Sequence, residues 1–404
     1  ERGTVMKPLV SVIIPVYNRE STIMRALNSV LNQTYYNIEV IVVDDCSTDS
    51  TVQTVSMCTD SRVQLICLPF HCGANAARNR GIERSKGEYI AFQDSDDEWI
   101  ENKLDKQINY MMDTGDEVSY SPYILYENGK CSIVPYDYKN RAICEINISQ
   151  TLKRDNIVGT PTLMVKKEVF SVVGLFDENL KRMQDYELIM RLIKKYRFGY
   201  IDEPLVRAYR TQRSITTDHN ILPDTYVRLL EKHIDFLDLE KLLYDYYNSC
   251  DFSLNNELKW NNIERVMTIV RNYDKGKYEK RCYQITMRYL YEQFKAGQSV
   301  IKDWYHFFEE HLRTHEFAIY GAGAYGHKVY GDLKEKKYYP KYFLVTRENE
   351  TRDIEGIPII SLSDCDNVEI PVIIAVAWDK QSDLIRNLLE KGMNKFCIYP
   401  FCHR

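Results

Sequence analysis

Along the first ninety residues, short unbroken apolar runs alternate with stretches where apolar positions recur every three or four residues. The runs fall at 10–16, 38–43, 63–68 and 89–92, each with the length and density of a strand buried on both faces. Between them, 21–32 places Ile23, Ala26, Leu27, Val30 and Leu31 on one face, with Ser21 as its expected N-cap. The segments 49–58 and 74–85 are read as helices in the same way. A βαβαβαβ order predicts an α/β fold with a mostly parallel sheet covered by helices on both faces. Two of the strands run into acidic clusters, Asp44-Asp45 and Asp94 to Glu98. Polar residues gathered at strand ends mark the ligand edge of such a sheet.

The texture changes twice further on. From about 119 it is Tyr-rich and hairpin-like, with a turn at Asn128-Gly129, and a helix over 184–196 closes it. Residues 219–314 carry little Gly or Pro and no strand runs. Val227, Leu229, Leu230, His233, Ile234 and Leu237 keep helical spacing there, so this is expected to be a helical connector. The last ninety residues return to α/β texture, with strands at 342–345 and 372–376 and a helix over 381–391. The expected domains are therefore 1–218, 219–314 and 315–404.

A length of 404 residues suits two or three domains. Hydrophobic residues make up 44% and charged residues 27%, with a net charge of -5. That composition excludes general disorder, and the charge argues against nucleic acid as a partner. No apolar run approaches the ~18 residues of a membrane span; 370–378 is read as a buried strand. The 11 cysteines form no C-x-x-C pair and no secretory signal opens the chain. Reduced thiols in a cytoplasmic protein are expected, with Met6 as the native start.

Five segments of the first domain carry chemistry. They are Val10-Ser-Val-Ile-Ile-Pro-Val-Tyr-Asn18, Val43-Asp-Asp-Cys-Ser-Thr-Asp49, Gly73-Ala-Asn-Ala-Ala-Arg-Asn-Arg-Gly81, Gln93-Asp-Ser-Asp-Asp-Glu-Trp99, and Gly174-Leu-Phe-Asp-Glu178 followed by Gln184-Asp-Tyr-Glu-Leu188. In this order and at these separations they resemble the inverting family 2 glycosyltransferases with a GT-A fold, over about residues 8–216. An Asp-x-Asp pair at a strand's C-terminal end independently offers hard oxygen ligands to Mg²⁺ or Mn²⁺. A cation there neutralises the charge that develops on a nucleoside-diphosphate leaving group.

The resemblance implies roles for individual residues. Asp96 would bind the metal, with Asp97 as a second contact, while Asp94 and Ser95 would lie at the donor. Pro15, Tyr17, Asn18 and Glu20 would contact base and ribose. Asp45 would accept the N3–H of uracil, which neither cytosine nor adenine offers in that form. Arg78 would face the base or the phosphates. Asp185 would be the base that takes the acceptor hydroxyl's proton, since inverting transfer needs one such carboxylate. The family's usual Glu-Asp is Gln184-Asp185 here, and its Tyr-Arg-x-His is Tyr209-Arg210-Thr211-Gln212. Gln is a poor transition-metal ligand, so Arg210 and Arg213 are expected at the diphosphate, and a contribution of Gln212 or His219 to the metal site stays open.

The implied function is metal-dependent inverting hexosyl transfer from a nucleotide sugar, UDP-linked, to a glycan or lipid-linked glycan of bacterial surface polysaccharide synthesis. Peripheral docking at the inner face of the membrane would bring a lipid-linked acceptor within reach. The rival readings are a nucleotide-sugar-binding protein without turnover and an NAD-linked enzyme built on the C-terminal glycines. Gly321-x-Gly323-x-x-Gly326 follows a strand and opens a helix, as a dinucleotide fingerprint demands. It resembles small Rossmann-like domains of polysaccharide enzymes. Glu348 and Glu350 lie near the place of the fingerprint's acidic residue without clearly sitting at a strand edge. A structural or assembly role is therefore favoured over a second nucleotide site.

Overall fold

A computed structural model describes residues 7–210, 221–249, 316–346, 352–376 and parts of 383–399, with isolated positions between 265 and 312. The chain divides into two compact units, Glu1–Ile221 and Leu222–Arg404.

In the first unit, strands β1 (Val10–Val16), β2 (Ile38–Asp44), β3 (Val63–Cys67) and β4 (Tyr89–Phe92) alternate with helices α1 (Ile23–Leu31), α2 (Thr51–Ser56) and α3 (Ala74–Arg84). Then come β5 (Glu98–Trp99), α4 (Lys103–Thr114), β6 (Val118–Tyr120), β7 (Tyr123–Glu127), β8 (Lys130–Val134), α5 (Ile148–Leu152) and β9 (Met164–Lys166). The unit ends with α6 (Val169–Val173), α7 (Gln184–Ile193), β10 (Phe198–Tyr200) and β11 (Val206–Arg210). One sheet runs β10-β6-β9-β4-β1-β2-β3 and a second runs β5-β11-β7-β8.

The apolar runs form the sheet because each side chain finds a partner layer. Val10, Val12, Ile14 and Val16 of β1 face α1 through Ile23, Leu27 and Val30, all buried. Burying one such aliphatic side chain contributes ~1.5–3 kcal/mol. On the other face α3 comes so close that a Cβ on Gly81 would stand 2.5 Å from Ile13 Cγ2. The Asn128-Gly129 turn joins β7 to β8 with both residues at positive φ, 51° and 74°, the geometry of a tight hairpin.

One expectation needs correction. Ser21 does not cap α1: Thr22 occupies that position, and no side chain caps the helix. The N–H groups of Thr22 and Ile23 instead reach Arg19 O at 3.0 and 2.9 Å, so a backbone turn starts the helix. The sheet also carries an antiparallel strand in its interior, β9 between β4 and β6. Three residues are too few to show a period, and long-range pairing placed them there.

In the second unit, α8 (Leu222–His233) and α9 (Leu239–Ser249) supply the described part of the expected helical stretch. Most of 250–315 lies outside the described residues. Beyond it, β12 (Ala318–Tyr320), the helix Ala324–Glu335, β13 (Tyr342–Val345), β14 (Asp353–Ile354), β15 (Ile357–Ser361), β16 (Val372–Ile374) and β17 (Phe396–Ile398) build a sheet ordered β14-β15-β13-β12-β16-β17. A Cβ on Gly326 would lie 1.9 Å from Gly321 O, so strand-to-helix packing alone demands glycine there. Glu348 and Glu350 fall outside the described residues.

Lys103 is fully buried. Its Nζ donates to Gln107 Oε1 at 2.5 Å and lies 4.1 Å from the centroid of the Trp99 ring. Desolvation pulls its pKa from 10.5 down to about 7, so the unfolded chain binds the extra proton between those values. Lys103 therefore makes stability rise with pH across that window and subtracts from it most at and below pH 7. Lys103→Met should flatten this slope by about 3 kcal/mol between pH 7 and 9.5. Urea unfolding at the two pH values measures it, and the orphaned Gln107 acceptor costs the same at both.

Candidate active site

The in-register pairing of β1 with β2, with Val16 opposite Asp44, brings their C-terminal loops side by side. Those loops are stitched together. Asn18, at φ 50°, donates its N–H to Ser47 Oγ at 2.9 Å, and its Oδ1 accepts from Thr48 N–H at 2.7 Å. Arg19 N–H reaches Thr51 Oγ1 at 2.8 Å, and Glu20 Oε2 accepts from Ser50 N–H at 2.9 Å. Asn18 and Glu20 thus use their side chains to fix this edge. Pro15 is buried within β1, and Tyr17 stands exposed at its end.

Asp45 is buried, and its carboxylate is already engaged. Oδ1 accepts from Cys72 N–H at 2.7 Å and Oδ2 from Gly73 N–H at 2.7 Å. Oδ2 also meets His71 Nδ1 at 2.8 Å. Asp45 therefore clamps the segment that enters α3, a role distinct from capping the helix after β2. The His71 ring lies tilted by 31° against Tyr17, with centroids 4.1 Å apart.

The acidic turn after β4 closes on itself, Asp97 N–H donating to Asp94 O at 3.1 Å. Asp94 accepts from Arg78 of α3 at 2.8 Å, so the buried Arg78 forms an ion pair with a partly exposed carboxylate there. Asp96 is a partly exposed carboxylate with Arg19 at 3.5 Å, and Arg25 donates to its main-chain oxygen. Asp97 is buried and accepts from Tyr209 N–H of β11 at 3.0 Å, while Ser95 is buried between them. Burial, and then the neighbouring Asp94, push Asp96 above the ordinary carboxylate range, with Arg19 and Arg25 pulling it back. Burial, then Asp94 and Asp96, drive Asp97 well above that range. Three carboxylates thus share one turn with Arg19, Arg25 and Arg78, and Asp96 retains oxygen lone pairs suited to a hard divalent cation. Among the described residues no three His, Cys, Asp or Glu side chains converge as a ready cage. A cation on Asp96 would need further ligands from donor or water.

Asp185 lies in the first turn of α7, after Met183 at φ 55°. Its carboxylate accepts from Tyr186 N–H at 2.7 Å. Burial raises its pKa, while Tyr186 N–H and the Arg78 charge lower it and Asp94 raises it further. Asp185, Arg78 and Asp94 thus share one electrostatic environment. Tyr123 joins it: burial, then Asp185 and Asp97 against Arg210, push its hydroxyl up to about 12.

The segment leading to Asp185 is held by two asparagines one helical turn apart on α3. Asn75 Nδ2 donates to Asp177 O at 2.6 Å and Leu180 O at 2.9 Å. Asn79 donates to Phe176 O and accepts from Phe176 N–H, both at 2.9 Å. From α7, Arg191 donates to Val173 O at 2.5 Å and Leu175 O at 2.8 Å. Sequence reading missed Asn75 and Asn79, although the i, i+4 spacing of two amides was available as a signal. It also missed Arg19, Arg25, His71 and Tyr123. Arg210 reaches Glu127 at 3.2 Å on the surface. Arg213, Gln212 and His219 lie outside the described residues. Gly321, Gly323 and Gly326 belong to the second unit.

The chain matches the model of Glycosyl transferase family 2 over residues 11–172. A Bacillus subtilis (strain 168) relative, described as the putative teichuronic acid biosynthesis glycosyltransferase TuaG, is 35% identical over 207 residues, 50% of this chain and 79% of the relative. The chain belongs to glycosyl transferase family 2. This glycosyltransferase is also similar to WfgD of Escherichia coli, described as a UDP-Glc:alpha-D-GlcNAc-diphosphoundecaprenol beta-1,3-glucosyltransferase. The two are 37% identical over 186 residues, 46% of this chain and 70% of WfgD. Among solved structures, Staphylococcus aureus TarS superposes with a TM-score of 0.50 at 22% identity, covering 73% of this chain and 55% of TarS. The glycosyltransferase has a GT-A type fold with mostly parallel sheets, as expected from its motifs.

Asn79→Ala in this glycosyltransferase leaves the Phe176 N–H and C=O without their amide partner, a loss of about 1–3 kcal/mol. Turnover should fall more than donor KM rises, because the loosened segment leads to Asp185. Urea unfolding and steady-state kinetics measure the two effects.

Proposed function

We propose that this family 2 enzyme transfers a hexose, with inversion, from a UDP-linked donor to a hydroxyl of a glycan or lipid-linked glycan in bacterial surface polysaccharide synthesis. The observation that carries the reading is the crowded Asp94–Asp97 turn at the end of β4, sharing its electrostatic environment with Asp185 through Arg78. The similarity to TuaG, described as acting in teichuronic acid biosynthesis, supports the substrate class, and the similarity to WfgD, described as a UDP-Glc-dependent glucosyltransferase, supports the UDP-linked donor.

Asp96 would hold Mn²⁺ or Mg²⁺, with Asp97 beside it. When bound, that cation supplies positive charge to the leaving diphosphate. The remaining work falls to side chains. Asp185 removes the acceptor hydroxyl's proton, and its raised pKa brings it nearer the range where a general base is effective. Asp94, Ser95 and Arg78 line the donor, with Pro15, Tyr17, Asn18, Glu20 and Asp45 at base and ribose. Arg210 and Arg213 answer the diphosphate's charge.

The catalytic part corresponds to 1–218, with 219–314 as a helical connector and 315–404 as a Rossmann-like unit. Gly321 and Gly326 serve packing in that unit, whereas a Cβ on Gly323 would meet open space. Among the described residues no helix is long and apolar enough to cross a membrane, and a lipid-linked acceptor is met by docking at the inner membrane face.

Asp185→Asn should lower UDP release from a sugar donor by about 10²–10⁴-fold while leaving UDP affinity within a few-fold. Full activity in that folded variant would remove Asp185 from the role of base. In the wild type, kcat should decline as pH falls through a value above the ordinary 3.8 of Asp. EDTA should abolish turnover and Mn²⁺ restore it; an unchanged rate in EDTA would overturn the metal role of Asp96.

A further inference from the structure

The segment 153–163, between α5 and β9, lies outside every motif that the sequence offers, yet it meets the candidate base. Both of its ends are fastened. At the near end the hydroxyl of Tyr186, the residue after Asp185, donates to Leu152 O at 2.6 Å. At the far end Trp99 Nε1 donates to Pro161 O at 3.1 Å and Gln107 Nε2 to Thr162 O at 3.0 Å, both bonds buried. Between them a Cβ on Gly159 would stand 3.6 Å from Tyr123 Cε1. The segment is thus held against α7 and β7, and the Asn156 side chain on it hydrogen-bonds the Asp185 carboxylate.

The direction of that amide follows from its partners. Val158 N–H donates to Asn156 Oδ1 at 3.2 Å, the turn in which an Asn side chain binds the backbone two residues on. A backbone N–H only donates, so the amide oxygen faces Val158. A carboxylate only accepts, so Asp185 takes its bond from Nδ2. One orientation of the amide meets both demands, and the flipped one would lose both. Asp185 also accepts from Tyr186 N–H at 2.7 Å and stays partly exposed. Two donors from different segments fix the plane of a carboxylate that one donor would leave free to turn. The remaining lone pairs then point to one place, as proton removal from an attacking hydroxyl requires. Burial raises the pKa of Asp185 most; Tyr186 N–H, the Arg78 guanidinium of α3 and the Asn156 amide lower it, and Asp94 after β4 raises it. The Tyr123 hydroxyl of β7 faces it as well.

We propose that Asn156 is a positioning residue of the transfer reaction, its amide holding the Asp185 carboxylate in the orientation that meets the acceptor hydroxyl. This rests on the reading of Asp185 as the base. Asn156 touches neither donor nor acceptor in this role; it acts through Asp185 alone.

The experiment uses the full chain as wild type, Asn156→Ala and Asn156→Asp. Asn156→Asp keeps an oxygen for Val158 N–H and replaces only the donor at Asp185, so the turn survives in it. UDP release from UDP-glucose with a lipid-linked glycan acceptor, followed across pH, should show kcat lowered about 10–100-fold in both variants, the worth of a hydrogen bond to a charged group. Donor KM should stay within about twofold. The acid limb of kcat should move to higher pH in both, and further in Asn156→Asp, because a facing carboxylate opposes ionisation. Carboxyl ¹³C NMR, taken as the difference between each protein and its Asp185→Asn counterpart, follows the same titration without substrate and should show the same order. In the Asp185→Asn background, Asn156→Ala should cost no further activity. An Asp185 titration unmoved in both variants, or an equal loss in the two backgrounds, would mean a structural role only and overturn the proposal while Asp185 remains the base. Full activity in Asp185→Asn would overturn the reading of the base and this proposal together.

Discussion

The ion pair between Arg78 and Asp94, 2.8 Å long and formed by an arginine only 7% exposed, ties the parts of the site together. Arg78 belongs to α3, Asp94 to the turn after β4, and the guanidinium lies 5.5 Å from the ring centroid of Phe176 in the segment leading to α7. Its charge also lowers the pKa of Asp185. A single buried cation therefore supports an acidic turn, the helix beside it and the carboxylate on the far side. Among the described residues its Nε has no hydrogen-bond partner, so much of its desolvation must be offset by Asp94 and the surrounding carboxylates. Pairs with a buried partner hold a geometry better than they add stability.

Around that pair the scaffold spends polar side chains on rigidity. Asn18, Arg19 and Glu20 bind the loop after β2. Asp45 binds the entry to α3, and Asn75 and Asn79 bind the approach to α7. A carboxylate or amide with several backbone donors or acceptors cannot swing, and groups that react must be held to fractions of an ångström. The same economy explains why residues read as ligand contacts also hold backbone. A short polar residue at a strand end is suited to both tasks, and only its neighbours decide between them.

The alternating elements up to residue 92 were legible because parallel strands buried on both faces are continuous apolar runs and their covering helices are amphipathic. The strand termini at Asp44 and Phe92 fall within a residue of the pattern's limits, and the Asn128-Gly129 hairpin follows from turn chemistry alone. β9 was not legible. Met164–Lys166 is three residues long and owes its place to antiparallel pairing with β4 and β6. Ser21 misled because a good capping side chain one residue early looks the same in sequence as one in register.

What the sequence determined by itself is the family, the strand-edge location of the acidic residues and the residue types available there. These are local: periodicity, turn residues and carboxylates after apolar runs need no knowledge of distant partners. What only the tertiary structure decided is how those residues are shared out. Arg78 pairs with Asp94 16 positions away, Asp97 is fixed by Tyr209 112 positions away, and Asp45 is turned toward Cys72, Gly73 and His71. Burial and neighbouring charge, not residue type, raise Asp96, Asp97 and Asp185 above ordinary carboxylates. Both depend on which segments the sheet brings together, and no local pattern encodes that.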